Sequence, residues 1–363
     1  MKREGNLYEK ICDFENLYQA YLEARRGKRY RNDVLKYTAN LEENLIQIQN
    51  ELLYDMYRVG KYREFYVYEP KKRLVMALPF KDRIVQWAIY RQLYPIFSRS
   101  FIQHSYACQE GRGTHAAAKN LQNWLRIVSK KPGKWYYLKL DVSKYFYRVD
   151  HKILINIMAR KIKDKRVLRL LWTIIKSETT KFGLPTAASL TETDVRLEDR
   201  GMPIGNLTSQ LFANVYLNEL DQFAKHTLGL RYYTRYMDDV ILLHDDKKEL
   251  QRIKTEIERF LNEELKLDLN NKTCIRPISL GIEFVGFRIW NTHKKIKKHT
   301  AQKIRKNLKR IQRKYAAGLM SLDKVKSTLF SYLGMLEHCD SYLLKRKVLH
   351  NFKLTRNRDQ PRT

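Results

Sequence analysis

Tyr236-Met237-Asp238-Asp239 lies between Arg231-Tyr232-Tyr233-Thr234-Arg235-Tyr236 on one side and Val240-Ile241-Leu242-Leu243-His244 on the other. Aromatic and β-branched residues suit a pleated surface, so both flanks are expected to be strands joined by a tight turn. Two adjacent carboxylates in such a turn repel each other. The apolar strand after them anchors the turn in a core rather than in open water. A dehydrated acid pair there calls for a hard cation, and Mg²⁺ is bound through one or two carboxylates plus phosphate oxygens. Taken alone, an Asp-Asp pair is an ordinary water-facing turn. Two other features of the chain set this one apart.

The first is Asp141, at the end of the strand-like run Lys134 to Val142 (KWYYLKLDV), followed by Tyr145-Phe146-Tyr147. An acid delivered by a second strand would complete a two-metal site, of the kind that activates a 3′-hydroxyl and stabilises a leaving pyrophosphate. The second is Gly201-Met202-Pro203-Ile204-Gly205-Asn206-Leu207-Thr208-Ser209-Gln210, a glycine-punctuated turn that opens a helix.

Working outward, apolar spacing predicts helices over Leu7 to Ala24 and Asn32 to Tyr57, then a strand pair, Arg63 to Glu69 and Arg73 to Phe80, around the turn Pro70-Lys71-Lys72. Further helices are expected over Asp82 to Phe97 (with Asp82 as N-cap), Thr114 to Val128, Lys152 to Ile162 and Val167 to Lys176. The same holds for Asn206 to Leu228 and Lys247 to Glu264, and for a basic stretch from Thr300 to Phe352. Phe182 to Arg200 has no period and is read as a loop or short hairpin, and Ile282 to Trp290 as one strand. Strands and helices mix without a regular βαβ alternation, so the fold class is α+β with an antiparallel sheet.

The chain has 363 residues, a formal net charge of +32 and 44% hydrophobic residues. It is long enough for two or three packed subdomains and too apolar to be disordered. Residues 291–363 hold 20 Lys/Arg against 4 Asp/Glu, half the net charge. Leu, Ile and Tyr interleave these cations, so the segment should fold and present its charge to a polyanion such as a phosphate backbone. No apolar run approaches the roughly 20 residues of a spanning helix, and the start, MKREGNLYEK, lacks a signal-peptide core. No membrane partner and a cytoplasmic location are therefore expected. The four cysteines form no CxxC pair and the nine histidines no HxH or HxxxH pair, so neither a disulfide framework nor zinc is expected. No Walker-type phosphate loop is present.

Taken in order, these motifs resemble the reverse transcriptase family. Tyr236-Met237-Asp238-Asp239 resembles its YxDD motif, and Asp141 with Phe146 its preceding palm motif. Lys71-Lys72-Arg73, Pro79 to Gln86, Ser105 to Cys108 and Gly111 to His115 resemble the fingers blocks of bacterial members. Leu269 to Thr273 and Phe284-Val285-Gly286-Phe287 fall where the later motifs belong. Ile204-Gly205-Asn206, Ser209-Gln210 and the run Ser331 to His338 are similar to the subfamily found in diversity-generating retroelements.

The resemblance implies a right-hand polymerase of fingers, palm and thumb. Residues 1–60 would be an N-terminal helical segment, 61–133 the fingers and 134–290 the palm, with an insertion near 150–200. Residues 291–363 would form a helical basic thumb. It implies a bacterial or phage-encoded RNA-directed DNA polymerase that copies a template RNA into cDNA with errors at template adenines. Asp141, Asp238 and Asp239 would be the catalytic metal ligands, with the Val142 carbonyl, for two Mg²⁺ or Mn²⁺ ions. Phe146 would lie under the incoming sugar, where its face collides with a 2′-hydroxyl, or else be a core residue. Lys72 and Arg73 would hold the triphosphate or, equally, the template backbone. Lys272 is either a proton donor to pyrophosphate or a solvated lysine. Gly205 would let backbone approach the template–primer pair, and Gln210 would touch the nascent base pair or template. Tyr236 and Met237 are either core residues or primer contacts. The partners implied are template RNA, primer, cDNA, dNTPs and a small basic accessory protein. A group II intron-like or phage-defence reverse transcriptase is the alternative, and a catalytically dead RNA-binding scaffold is the alternative of another class.

Overall fold

The computed structural model describes residues 3–68, 73–177, 180–184 and 196–355. At its centre lies a four-stranded antiparallel sheet in the order β4-β5-β3-β6. Its strands are β3 (Tyr136–Asp141), β4 (Tyr233–Tyr236), β5 (Asp239–His244) and β6 (Cys274–Pro277). The α+β class with antiparallel sheets read from the sequence is the one found.

Both faces of this sheet are covered, which explains why β5 reads as a continuous apolar run. Leu138, Leu140, Val240, Leu242 and Tyr233 point to one side. There they meet α9 (Leu207–Gln222) and α10 (Lys247–Glu264), and α9 in turn packs on α5 (Phe80–Ser98). Tyr137, Ile241, Leu243 and Tyr232 point the other way, into a second core with α6 (Thr114–Val128) and the hairpin of β7 (Ile282–Phe284) and β8 (Phe287–Ile289). The alternation of the apolar residues along β3, β4 and β5 therefore sorts them between two cores instead of between core and water.

The N-terminal helices wrap α5. They are α1 (Leu7–Cys12), α2 (Phe14–Arg25), α3 (Asn32–Ala39) and α4 (Leu41–Leu53). Each of the two long helices expected there is thus broken in two. Asp13 breaks the first by capping α2, its carboxylate accepting from the Asn16 amide at 3.1 Å. Buried Asn16 then donates to Ala88 of α5 at 3.3 Å and accepts from Arg91 and Gln92. The strand pair is β1 (Arg63–Val67) with β2 (Arg73–Ala77), and the turn Pro70-Lys71-Lys72 lies outside the described residues.

Asp82 is not the N-cap of α5. Pro79 holds that place. Asp82 is buried in the first turn, where it accepts from the Tyr57 hydroxyl at 2.7 Å and the Gly60 amide at 3.2 Å. The single strand expected over Ile282 to Trp290 is the β7–β8 hairpin, because Val285 and Gly286 both take left-handed φ of +43° and +90°, as a two-residue hairpin turn requires. Gly281, at φ +72°, lets the chain pass under Trp290: a Cβ there would lie 2.4 Å from the indole ring. The ends of the 182–200 stretch pair through Gly183 and Leu197, while residues 185–195 lie outside the description.

After β9 (Lys294–Ile296), α11 (Lys298–Ala316), α12 (Leu322–Glu337) and α13 (Tyr342–His350) close a small core of their own around Ile304, Leu308, Leu336 and Val348. No helix among the described residues is long and apolar enough to cross a membrane. All four cysteines are free thiols.

Candidate active site

Strand register brings the acids together. In the β3–β5 ladder Asp141 stands directly opposite Asp239, and in the β4–β5 ladder Tyr236 stands opposite the same Asp239. Residues paired across a ladder share a face. The two-residue link Met237-Asp238 closes the β4–β5 hairpin, with Met237 at φ +54°. Such a conformation is costly for a residue with a side chain.

The electrostatics are those of carboxylates held in a largely buried turn. Burial pushes the Asp239 carboxyl up to about 6, even though the Lys139 ammonium pulls it down. Burial also raises Asp238; the Asp141 charge adds to that, while Arg73 and Arg235 oppose it. Lys139 lies two residues before Asp141 on the same strand face. Its Nζ donates to Asp239 Oδ2 at 3.0 Å and to the Glu283 carbonyl at 2.8 Å. It also lies 2.9 Å from Asp239 Oδ1, yet that buried oxygen has no hydrogen-bond partner among the described residues.

The fit to a metal is therefore mixed. A set of hard carboxylate oxygen donors suits a divalent cation. However, among the described residues no group of three or more His, Cys, Asp or Glu side chains is arranged to hold one. At Asp239 the Lys139 ammonium supplies a positive charge. Two residues past β3's last acid, the Ser143 amide donates to Asp268 at 2.8 Å, and the Asn270 amide donates to the Asp141 carbonyl at 2.7 Å. These bonds flank the Val142–Leu269 bridge. The Val142 carbonyl is thereby directed away from Leu269, toward the edge where the 237–238 turn lies. Arg148 secures the same loop by an ion pair with Asp268.

The remaining sequence candidates separate. Phe146 is half-buried in a 3-10 turn, edge-on to Tyr145 at 5.5 Å, and its carbonyl accepts from Met202 at 2.6 Å. Arg73 begins β2 and its charge is felt at Asp238. Lys272 is exposed on the loop that docks on β3. Gly205 is exposed at φ +125°, and the backbone it approaches is that of β2: a Cβ would lie 3.0 Å from the Met76 carbonyl. Gln210 is exposed on α9 and lines a cleft of about 780 Å³ with Trp87, Tyr90, Tyr94 and Arg91 of α5. Tyr236 and Met237 are half-buried against the two different cores. Lys72 lies outside the described residues.

Sequence reasoning missed Lys139, Arg235 and Asp221. A signal existed for Arg235, a charge inside an aromatic strand, but its meaning depends on what α9 brings to it. Asn214 and Asp221 lie seven residues apart on that helix, hence on one side of it.

The family described as reverse transcriptase (RNA-dependent DNA polymerase) matches residues 68–289, more than half of the chain. The chain belongs to the reverse transcriptase family, whose enzymes are RNA-directed DNA polymerases. It is 29% identical over 290 residues to protein YkfC of Escherichia coli, a match spanning 69% of this chain and 72% of that one. It is 24% identical over 344 residues to the group II intron-encoded protein LtrA of Lactococcus lactis, spanning 76% of this chain and 54% of LtrA. A telomerase structure from Candida tropicalis, in complex with a fragment of telomeric RNA, aligns with 81% of this chain and 57% of its own at 15% identity, with a TM-score of 0.46.

Proposed function

We propose that this chain copies an RNA template into DNA at the site formed by Asp141, Asp238 and Asp239. The observation that carries the reading is the strand register that sets Asp141 opposite Asp239 with Asp238 in the adjoining turn. Two Mg²⁺ or Mn²⁺ ions held by these acids and the Val142 carbonyl would activate the primer 3′-hydroxyl and stabilise the departing pyrophosphate. Within this reading residues 61–133 are the fingers, 134–290 the palm and 291–363 the thumb, after the N-terminal helices of residues 1–60.

The chain's own residues do the rest. Arg73, whose charge reaches Asp238, binds the triphosphate of the incoming dNTP. Phe146 packs against the sugar and excludes a 2′-hydroxyl. Lys272, carried by the loop stapled to β3, protonates the leaving pyrophosphate. The cations of α11 to α13 hold the template–primer backbone, which the +32 net charge favours. Lys139 balances Asp239 before substrate arrives. Asp238→Ala should abolish dNTP incorporation, by at least 10³-fold, while RNA binding on a filter stays within about twofold of the parent. Retained incorporation would falsify the assignment.

Two finer readings make different predictions. Ile204-Gly205-Asn206 and Ser209-Gln210 favour an error-prone enzyme of a diversity-generating retroelement, working with a small basic accessory protein. The match to the intron-encoded LtrA favours an intron-associated enzyme. Sequencing cDNA made by the purified chain on an RNA template, with and without the accessory protein, decides between them. Substitutions concentrated at template adenines support the first. Uniform fidelity in both arms removes it and leaves the second.

A further inference from the structure

Among the described residues, Arg235 is the largest side chain that the fold buries completely. Its fork meets Asp221 of α9 through two bonds, Nε to Oδ1 at 2.8 Å and Nη2 to Oδ2 at 2.6 Å. Asp221 is as fully enclosed as its partner. The Tyr233 hydroxyl donates to the same Oδ1 at 2.7 Å. The third nitrogen, Nη1, donates to Asn214 Oδ1 at 3.2 Å and to the Met237 carbonyl at 3.0 Å. Asn214 in turn donates to the Ala107 carbonyl at 2.8 Å. Arg235's own backbone accepts from Tyr106 and donates to His104. Helix α9, strand β4 and the 104–107 segment therefore converge on one residue, α9 at its guanidinium and the 104–107 segment at its backbone.

An enclosed ion pair is a poor device for stability alone, because well-packed apolar residues of the same volume are often at least as stable. What the pair offers here is direction. Two parallel bonds to one carboxylate fix the plane of the fork, which a single ammonium cannot do. With that plane fixed, Nη1 has a set position, and the carbonyl it holds belongs to the peptide between Met237 and Asp238. Met237 is in the left-handed region without being glycine, so this peptide would relax if it were released.

We propose that Arg235, held by Asp221, Asn214 and Tyr233, is the positioning residue that locks the Met237–Asp238 peptide and so aims the Asp238 carboxylate. The inference rests on the reading of Asp238 as a catalytic acid. Arg235 touches no substrate; it acts through the turn. Asp221 serves as the anchor on which the whole lock bears.

The test uses the full chain carrying Arg235→Lys or Asp221→Asn, each alone and combined with Met237→Gly. Glycine accepts a positive φ without steric strain, so it should keep the turn closed when the clamp is weakened. Single-turnover dNTP incorporation, template–primer affinity and cooperative melting are measured, with Mn²⁺ binding followed separately by electron paramagnetic resonance. The expected outcome is a rate 10²-fold or more below the parent, with template–primer affinity within threefold. Mn²⁺ binding should weaken about tenfold, and Met237→Gly should restore at least tenfold of the lost rate. A folded single variant with a rate within threefold of the parent overturns the proposal. So does a rate loss that Met237→Gly does not relieve, or failure of both single variants to fold, which would make the pair a structural strut. Asp238→Ala run in parallel keeps the two readings apart. If it still incorporates dNTPs, the site assignment fails; if it is inactive while Arg235→Lys is not, only the positioning role fails.

Discussion

At the scale of single residues, Lys139 is the group most directly opposed to a cation, because its ammonium lies against Asp239. Removing one partner of a largely desolvated pair leaves the other uncompensated. Lys139→Met should therefore cost about 1–3 kcal/mol of stability, and added Mg²⁺ should raise its melting temperature more than the parent's. Thermal melts with Mg²⁺ and with a chelator measure both; an equal Mg²⁺ response in the two proteins would show that Lys139 does not compete for the site. His104 gives a pH effect. Burial, reinforced by Lys225 and Arg112, pulls its imidazole down to about 4. The folded protein keeps it neutral while an unfolded chain protonates it near its ordinary value of 6.5. Stability is thus full above pH 6.5 and is lost as pH falls toward 4. Relative to His104→Gln, the parent should lose roughly 1–3 kcal/mol between pH 7.5 and 4.5 in urea titrations. Parallel curves for the two proteins would contradict this. That Asp141 and the Asp238-Asp239 turn sit at strand ends was legible in the sequence, because both are local patterns. Arg235 and Asp221 were not, since the role of a buried charge is set by what packs on it.

At the scale of elements, the sequence showed helices and strands best where one period runs between clear stops. Helices α6 and α10 match their expected spans. It failed where one residue changes direction inside an apolar run. Asp13 and Asn40 interrupt the helices while the apolar spacing runs on, and Val285-Gly286 turns what reads as one strand. Strand β6 escaped notice because, at the sheet edge, Cys274 and Ile275 are only half-buried and Arg276 and Pro277 exposed. The β7–β8 hairpin depends on Gly281 beneath Trp290. Gly281→Ala adds both a left-handed strain and a clash with a rigid ring, so a loss on the order of 2 kcal/mol or more is expected in denaturant titrations. A variant as stable as the parent would mean that the hairpin shifts freely.

At the scale of the whole molecule, charge decides how tightly nucleic acid is held. If the cations of residues 298–350 contact six to ten phosphates, RNA affinity should fall by roughly 10³-fold or more between 50 and 200 mM monovalent salt. Filter binding across that range tests it, and a flat response would remove the C-terminal helices as a backbone clamp. The sheet that carries the acids is insulated from such changes. It lies between two unlike cores, and slipping β3 against β5 by one residue would exchange every side chain between them. The spacing of Asp141 and Asp239 is thus set by strands whose apolar side chains lie in the two cores. Lineages could recharge, lengthen or redirect the surface that selects a nucleic acid while the chemistry beneath stays in tune, so that recognition and reaction evolve on separate clocks.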